Sequence, residues 1–415
     1  MTSRIERWRG AHRASSIIAA ATIVAGLAAL LFILEASGAG RSIIQSLVLG
    51  AFFGVALQRS RFCFLCHWRD FIEQRDPRGF VAILLALAVG TLGYAVLFAA
   101  WLPDPTTGRL PPDAHIGPAG PVLAFAAFVF GVGMAVSGSC VSGHLYRLGE
   151  GSPTAPFALL GAILGFALGF LTWNTLYVTS IATTPVLWFP ADLGYPRWLL
   201  LQLGILAALV LAIGAYGRLP IGNRETSPDE PALRHALRRI FVDRWPATVG
   251  GAAVGIIATV AYFQVQPLGV TSALGSFGRW LAKSAGVLPE TLHGLDGFAG
   301  CRTAAATFLT PNTVFVAALV LASFASALVA AQFKPAWPTR AQVIRGLAGG
   351  TLLGWGAMTA LGCTVGTLLS GTIAGAASGW IFFSASFLGV FATLQLSRRL
   401  AAWRAERAIL QKPRN

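Results

Sequence analysis

Residues 80–101 read FVAILLALAVGTLGYAVLFAAW, with no charged side chain in the run. At about 1.5 Å per residue, a helix of this length crosses a hydrocarbon core of roughly 30 Å. The apolar residues are continuous rather than alternating, so a period-two transmembrane strand does not fit. Similar runs occupy Ser16–Leu34 and Ala247–Tyr262. Over its 415 residues the chain is 55% hydrophobic and only 11% charged, with a mean hydropathy of +0.67. An average soluble domain carries about 25% charged residues. A soluble cytosolic enzyme is excluded, and an all-α polytopic membrane protein is expected.

Ten spans are predicted, at 16–37, 43–58, 80–101, 121–140, 155–174, 197–217, 247–265, 312–332, 342–362 and 377–397. The count runs from nine to eleven because of residues 266–311. That segment is moderately apolar but interrupted by Pro267, Gly269, Gly275, Gly278, Gly286 and Pro289. It reads either as short helices dipping into the membrane or as a further span. With the N-terminus inside, 25 of the 31 basic residues fall on inner segments. The remainder are Arg41, Arg109, Arg197, Arg279, Lys283 and Arg302. This bias predicts an inner-membrane protein with both termini in the cytoplasm. The Arg-rich Met1–Arg13 precedes a span-length run with no obvious cleavage site, so no cleavable signal is expected. The net charge of +15 is distributed between spans rather than in a basic domain, which points to membrane lipid and away from nucleic acid.

The charged stretch Gly217–Trp245 (GRLPIGNRETSPDEPALRHALRRIFVDRW) divides the chain. The expected organisation is a membrane half at 1–216, a cytoplasmic linker at 217–245, a second membrane half at 246–400 and a basic tail at 401–415. An internal repeat supports the division. Residues Gly131–Gly143 and Gly354–Gly366 both read G-x-G-x6-C-x2-G, without a gap. The spans bearing the two copies run in opposite directions in this topology. Two pseudo-symmetric inverted repeats are therefore expected, with substrate between them and short broken helices near the centre.

The chain has five cysteines: Cys63, Cys66, Cys140, Cys301 and Cys363. A cysteine can pack in a membrane helix as a small apolar residue. Cys140 and Cys363 differ in occupying equivalent breaks of the repeat, between Gly138 and Gly143 and between Gly362 and Gly366. Glycine there leaves backbone open to a ligand. Cys63-Phe-Leu-Cys66-His67 fits C-x-x-C-H, the haem-attachment pattern. Haem attachment is outer-side chemistry, however, whereas arginine density places this loop inside. Zinc would require a second ligand pair that the six histidines do not provide. A Cys63–Cys66 redox couple stays open. Arg61, Arg147 and Arg302, beside Cys63, Cys140 and Cys301, read as interfacial anchors or as groups serving an anion. Paired carboxylates, H-E-x-x-H, G-x-S-x-G and P-loop patterns are all lacking, so neither an enzyme nor a bound cofactor or metal is expected.

Three stretches resemble the YeeE/YedE family of inner-membrane sulfur permeases. They are Gln58-Arg-Ser-Arg-Phe-Cys-Phe64, Gly138-Ser-Cys-Val-Ser-Gly143 with Tyr146-Arg-Leu-Gly-Glu-Gly151, and Gly362-Cys-Thr-Val-Gly366. The resemblance covers about residues 40–400. It implies an hourglass-like, pseudo-symmetric helical fold and uptake of thiosulfate, with selenium compounds as the alternative cargo. It also implies a central path lined by Cys63, Cys140 and Cys363, with Arg61 and glycines 138, 143, 362 and 366 beside them, and a small cytoplasmic sulfur-carrier protein as partner. A thiol is a weak donor, able to hold a soft sulfur atom without trapping it. Cys66-His67 and the Cys301-Arg302 segment match no motif of that family. A membrane thiol oxidoreductase using Cys63 and Cys66 is the reading from another class.

Overall fold

A computed structural model describes residues 2–217, 238–298 and 309–410. Its helices are α1 (Thr2–Ala36), α2 (Arg41–Ser60), α3 (Phe64–Gln74), α4 (Arg78–Trp101), α5 (Pro121–Ser137), α6 (Val141–Gly149) and α7 (Ala155–Thr179). They continue as α8 (Phe189–Tyr216), α9 (Ala247–Gln264), α10 (Thr271–Ser284), α11 (Pro311–Val329), α12 (Arg340–Thr359), α13 (Thr364–Gly371) and α14 (Ala377–Leu410). Of these, α13 is wound as a π-helix. Among the described residues the extended backbone forms only two isolated bridges, Pro118 to Val186 and Trp188 to Ala376.

Among the described residues, nine helical segments are long and apolar enough to span a membrane, and the α12–α13 pair, bent by 42°, makes a tenth if it is counted as one broken span. The chain is thus an all-α polytopic membrane protein, and the predicted spans fall on these helices. α8 starts earlier than its predicted span, because Gly194, at φ +71, sets a kink just ahead of Pro196. The ambiguous segment 266–311 contains α10, which is only 14 residues long. Cys301 and Arg302 lie outside the described residues, as do linker residues 218–237 and the last five of the tail.

Burial separates protein-facing from outward-facing sides of the same helices. Phe53, Ile83, Phe130 and Phe166 are fully buried, whereas Val96, Leu200 and Leu211 are 70–74% exposed. In a bilayer those exposed side chains meet lipid tails, so close backbone packing rather than water exclusion must hold the helices together. Glycines at four-residue spacing provide it. A Cβ on Gly50 or Gly54 of α2 would come within 2.3 Å of the Phe315 or Leu319 carbonyl oxygen of α11. On α9, Gly251 and Gly255 stand equally close to the Ala82 and Ala86 carbonyls of α4, at 2.1 and 2.7 Å. Gly161 and Gly165 of α7 likewise face Gly350 and Gly354 of α12 across a shared seam.

The packing follows a rule. α2 lies on α11 and α9 on α4; α5 lies on α14 and α12 on α7; α1 flanks α11 and α8 flanks α4. α5 and α12 meet each other. Each of these contacts recurs between the helices seven places further along the order.

Candidate functional site: broken helices capped by cysteine

Three helices break in the same way. In each case a residue with left-handed backbone stands two positions before a cysteine: Arg61 (φ +51) before Cys63, Gly138 (φ +89) before Cys140, and Leu361 (φ +56) before Cys363. The reversal ends α2, α5 and α12. The cysteine then returns to extended backbone and caps the next helix, α3, α6 or α13. Each cysteine carbonyl accepts the first helical N–H, from His67 (3.1 Å), His144 (2.9 Å) and Leu368 (3.1 Å) respectively. The first N–H groups of such a helix lack an intrahelical acceptor and carry partial positive charge. Every one of these thiols therefore sits at the positive end of a short helix, and all three are fully buried.

The first two breaks converge. Cys63 Sγ is 3.8 Å from Cys140 Sγ and 3.3 Å from Ser139 Oγ, while Cys140 Sγ is 3.3 Å from Ser142 Oγ. Gly143 closes the group: a Cβ there would lie 3.0 Å from Cys63 Sγ and 3.3 Å from Cys140 Sγ. Thus Gly143 keeps the two thiols open to each other. Gly138 instead supplies the left-handed turn, and its surroundings are empty within 4 Å. The leading glycines of the repeated motif serve packing. Gly131 faces the Ser386 carbonyl of α14, and Gly354 faces the Ala162 carbonyl of α7.

The pair lies on the side of the molecule that carries the end of the linker. Next to the first break, Arg59 is buried, and its Nη2 donates to the Val242 and Asp243 carbonyls. Gln58 Nε2 donates to Gln332 Oε1 (2.8 Å) and Glu150 Oε1 (3.2 Å), joining the ends of α2, α6 and α11. Cys363 hydrogen-bonds to neither of the paired thiols. Its break is overlaid by the loop between α4 and α5, with His115 Nε2 within 2.9–3.0 Å of where Cβ atoms on Gly362 and Gly366 would sit. A cavity of about 20 Å³, room for one water, opens there between His115, Thr359, Thr367 and Ser378. Burial pushes the His115 imidazole down to about 4.

The other expected residues are placed as follows. Arg61 is exposed and supplies the left-handed turn before Cys63. Cys63, Cys66, Cys140 and Cys363 are free thiols. Cys66 Sγ is partnered by Arg147 Nη2 at 2.9 Å and also lies within hydrogen-bonding reach of Cys63, the residue that caps its helix. Sequence reading missed His115, Ser139 and Ser142. The serines were visible inside a motif already singled out, whereas His115 lies in a loop with no patterned neighbour.

A family model described as sulphur transport matches residues 59–392, a range containing all three breaks. The chain is 26% identical over 359 residues to the Thiosulfate transporter TsuA of Escherichia coli (strain K12), covering 84% of this chain and 93% of that protein. It is 27% identical over 347 residues to the Thiosulfate transporter TsuA of Spirochaeta thermophila, covering 81% and 93%. A shorter match, 27% over 138 residues, links it to the Probable transporter YedE of Escherichia coli. With that family's model running through all three cysteine-capped breaks, the chain belongs to the sulphur-transport family.

Proposed function

We propose that this protein imports thiosulfate, or a closely related inorganic sulfur anion, along a path on which Cys363, Cys140 and Cys63 are successive stations. The observation that carries the reading is the 3.8 Å approach of two buried thiols, each capping a broken helix. Thiosulfate pairs a soft terminal sulfur with charged oxygens. Thiols suit the first, and helix N-termini offset the charge of the second without a buried cation. Weak stations in series favour passage over retention.

The packing rule supports a further proposal, that α1–α7 and α8–α14 are inverted repeats. Their boundary then precedes α8 instead of falling in the charged linker. In that arrangement the paired thiols open to the cytoplasm and Cys363 to the outside, with both termini cytoplasmic in the inner membrane. A separate small sulfur-carrier protein would receive the anion at the inner face. The test is radiolabelled thiosulfate uptake by cells lacking their own importers, expressing this chain or its Cys140→Ala variant at equal membrane levels. Uptake lost in the variant is the expected result. Equal uptake by both would discard the thiol path, and no uptake by either would discard thiosulfate.

A further inference from the structure

Arg147 of α6 makes three hydrogen bonds through its guanidinium: to Cys66 Sγ (2.9 Å), to the Gly138 carbonyl (3.2 Å) and to Tyr146 Oη (3.4 Å). None of these acceptors is a carboxylate. An arginine that only anchors a helix at the membrane surface reaches out to water or lipid headgroups. This one folds back across two breaks, tying the turn before Cys140 to the helix capped by Cys63. The hydrogen bonds repay part of the cost of burying the guanidinium, and with no carboxylate among these partners its charge stays available to an incoming anion. On α3, Cys66 lies three residues after Cys63 and so shares its helix face. Cys66 itself is 8% exposed, against 0% for Cys63.

We infer that Cys66 and Arg147 together form an additional anion station, continuing the thiol series beyond Cys63 on the linker side. The inference rests on the sulfur-anion reading above and deepens it. The ligand class is a sulfur oxyanion with a terminal sulfur. The guanidinium takes two oxygens through its parallel N–H groups, as it does for carboxylates and phosphates. The Cys66 thiol faces the soft sulfur. Anion binding would draw Arg147 from the Gly138 carbonyl and so loosen the turn that positions Cys140. No bond to sulfur is made or broken.

Two readouts on purified full-length protein test this. The first is alkylation of Cys66 by N-ethylmaleimide, followed by peptide mass spectrometry with thiosulfate, sulfate or chloride present. The second is thiosulfate uptake into proteoliposomes by wild type, Arg147→Lys, Arg147→Gln and Cys66→Ser. Expected are protection of Cys66 by thiosulfate more than by sulfate, and a KM about tenfold higher in Arg147→Gln, with Arg147→Lys in between. Cys66→Ser should raise KM for thiosulfate while leaving the melting temperature unchanged. Wild type that transports thiosulfate with Cys66 unprotected overturns the station. So does an Arg147→Gln variant with wild-type KM. Protection of Cys66 without transport would support the station and count against the path reading instead. Should Arg147→Gln fail to fold, protection in wild type and the kinetics of Arg147→Lys still decide.

Discussion

At the scale of single residues, the thiol pair depends on a missing side chain. Gly143→Ala places a methyl 3.0 Å from Cys63 Sγ and 2.1 Å from Ser139 Oγ, so that hydroxyl must swing aside and the thiols lose their open face. Uptake by Gly143→Ala is expected to fall about tenfold at unchanged membrane abundance, a barrier increase of about 1.4 kcal/mol. His115 gives a pH signature. Its imidazole is held near 4 in the fold against 6.5 when free, so the unfolded chain binds a proton that the folded one refuses. This group's contribution is whole above pH 6.5 and is lost as pH falls towards 4. Melting temperature in detergent should therefore drop more steeply over that window in wild type than in His115→Gln. Coincident curves for the two proteins would contradict this.

At the scale of elements, the helix seams are more sensitive than the lipid-facing surfaces. A Cβ on Gly354 would lie 2.0 Å from the Ala162 carbonyl oxygen, a backbone atom that cannot move without shifting α7. Gly354→Ala should destabilise by about 1–3 kcal/mol, as overpacking does. Gly204→Ala, on α8 with nothing within 4 Å, should be neutral or slightly stabilising. A thermal-shift comparison of the two variants checks both expectations. The same seams explain which parts of the site were legible beforehand. Cys140 and Cys363 stood out because glycines bracket them within a repeat. The common geometry of the breaks did not, because two of the three left-handed turns are made by Arg61 and Leu361, residues that carry no turn signal. The motif's glycines look alike in sequence, yet Gly143 faces the thiols whereas Gly131 and Gly354 are filled by neighbouring helices. Spacing cannot distinguish close approach to a ligand from close approach to a helix.

For the whole molecule, continuous apolar runs were enough to place the spans, because a bilayer dictates both their length and their helicity. The partnership of α8 with α4 was not legible: it depends on surfaces that meet only after folding, and the charged linker after Tyr216 suggested a different division. Orientation can be measured directly. A fluorescent protein fused after Asn415 should light up, while alkaline phosphatase at the same place should stay inactive; the reverse pattern would invert the proposed topology.

The thiol stations have a final consequence, and it is electrical. Cys363, Cys140, Cys63 and the helix ends behind them are fixed in the protein and do not travel with the cargo, so a doubly charged anion moving past them carries its charge across the membrane field. With a cell interior negative by 100 mV, inward passage of such a dianion is uphill by about 4.6 kcal/mol. Voltage alone would then drive the cargo outward. Net accumulation has to come from chemistry that removes the anion as it arrives inside, or from positive charge entering with it. Uptake into proteoliposomes should rise when the interior is clamped positive by a potassium–valinomycin gradient and fall when it is clamped negative. Indifference to the clamp would mean that each anion is accompanied by its own counter-charge.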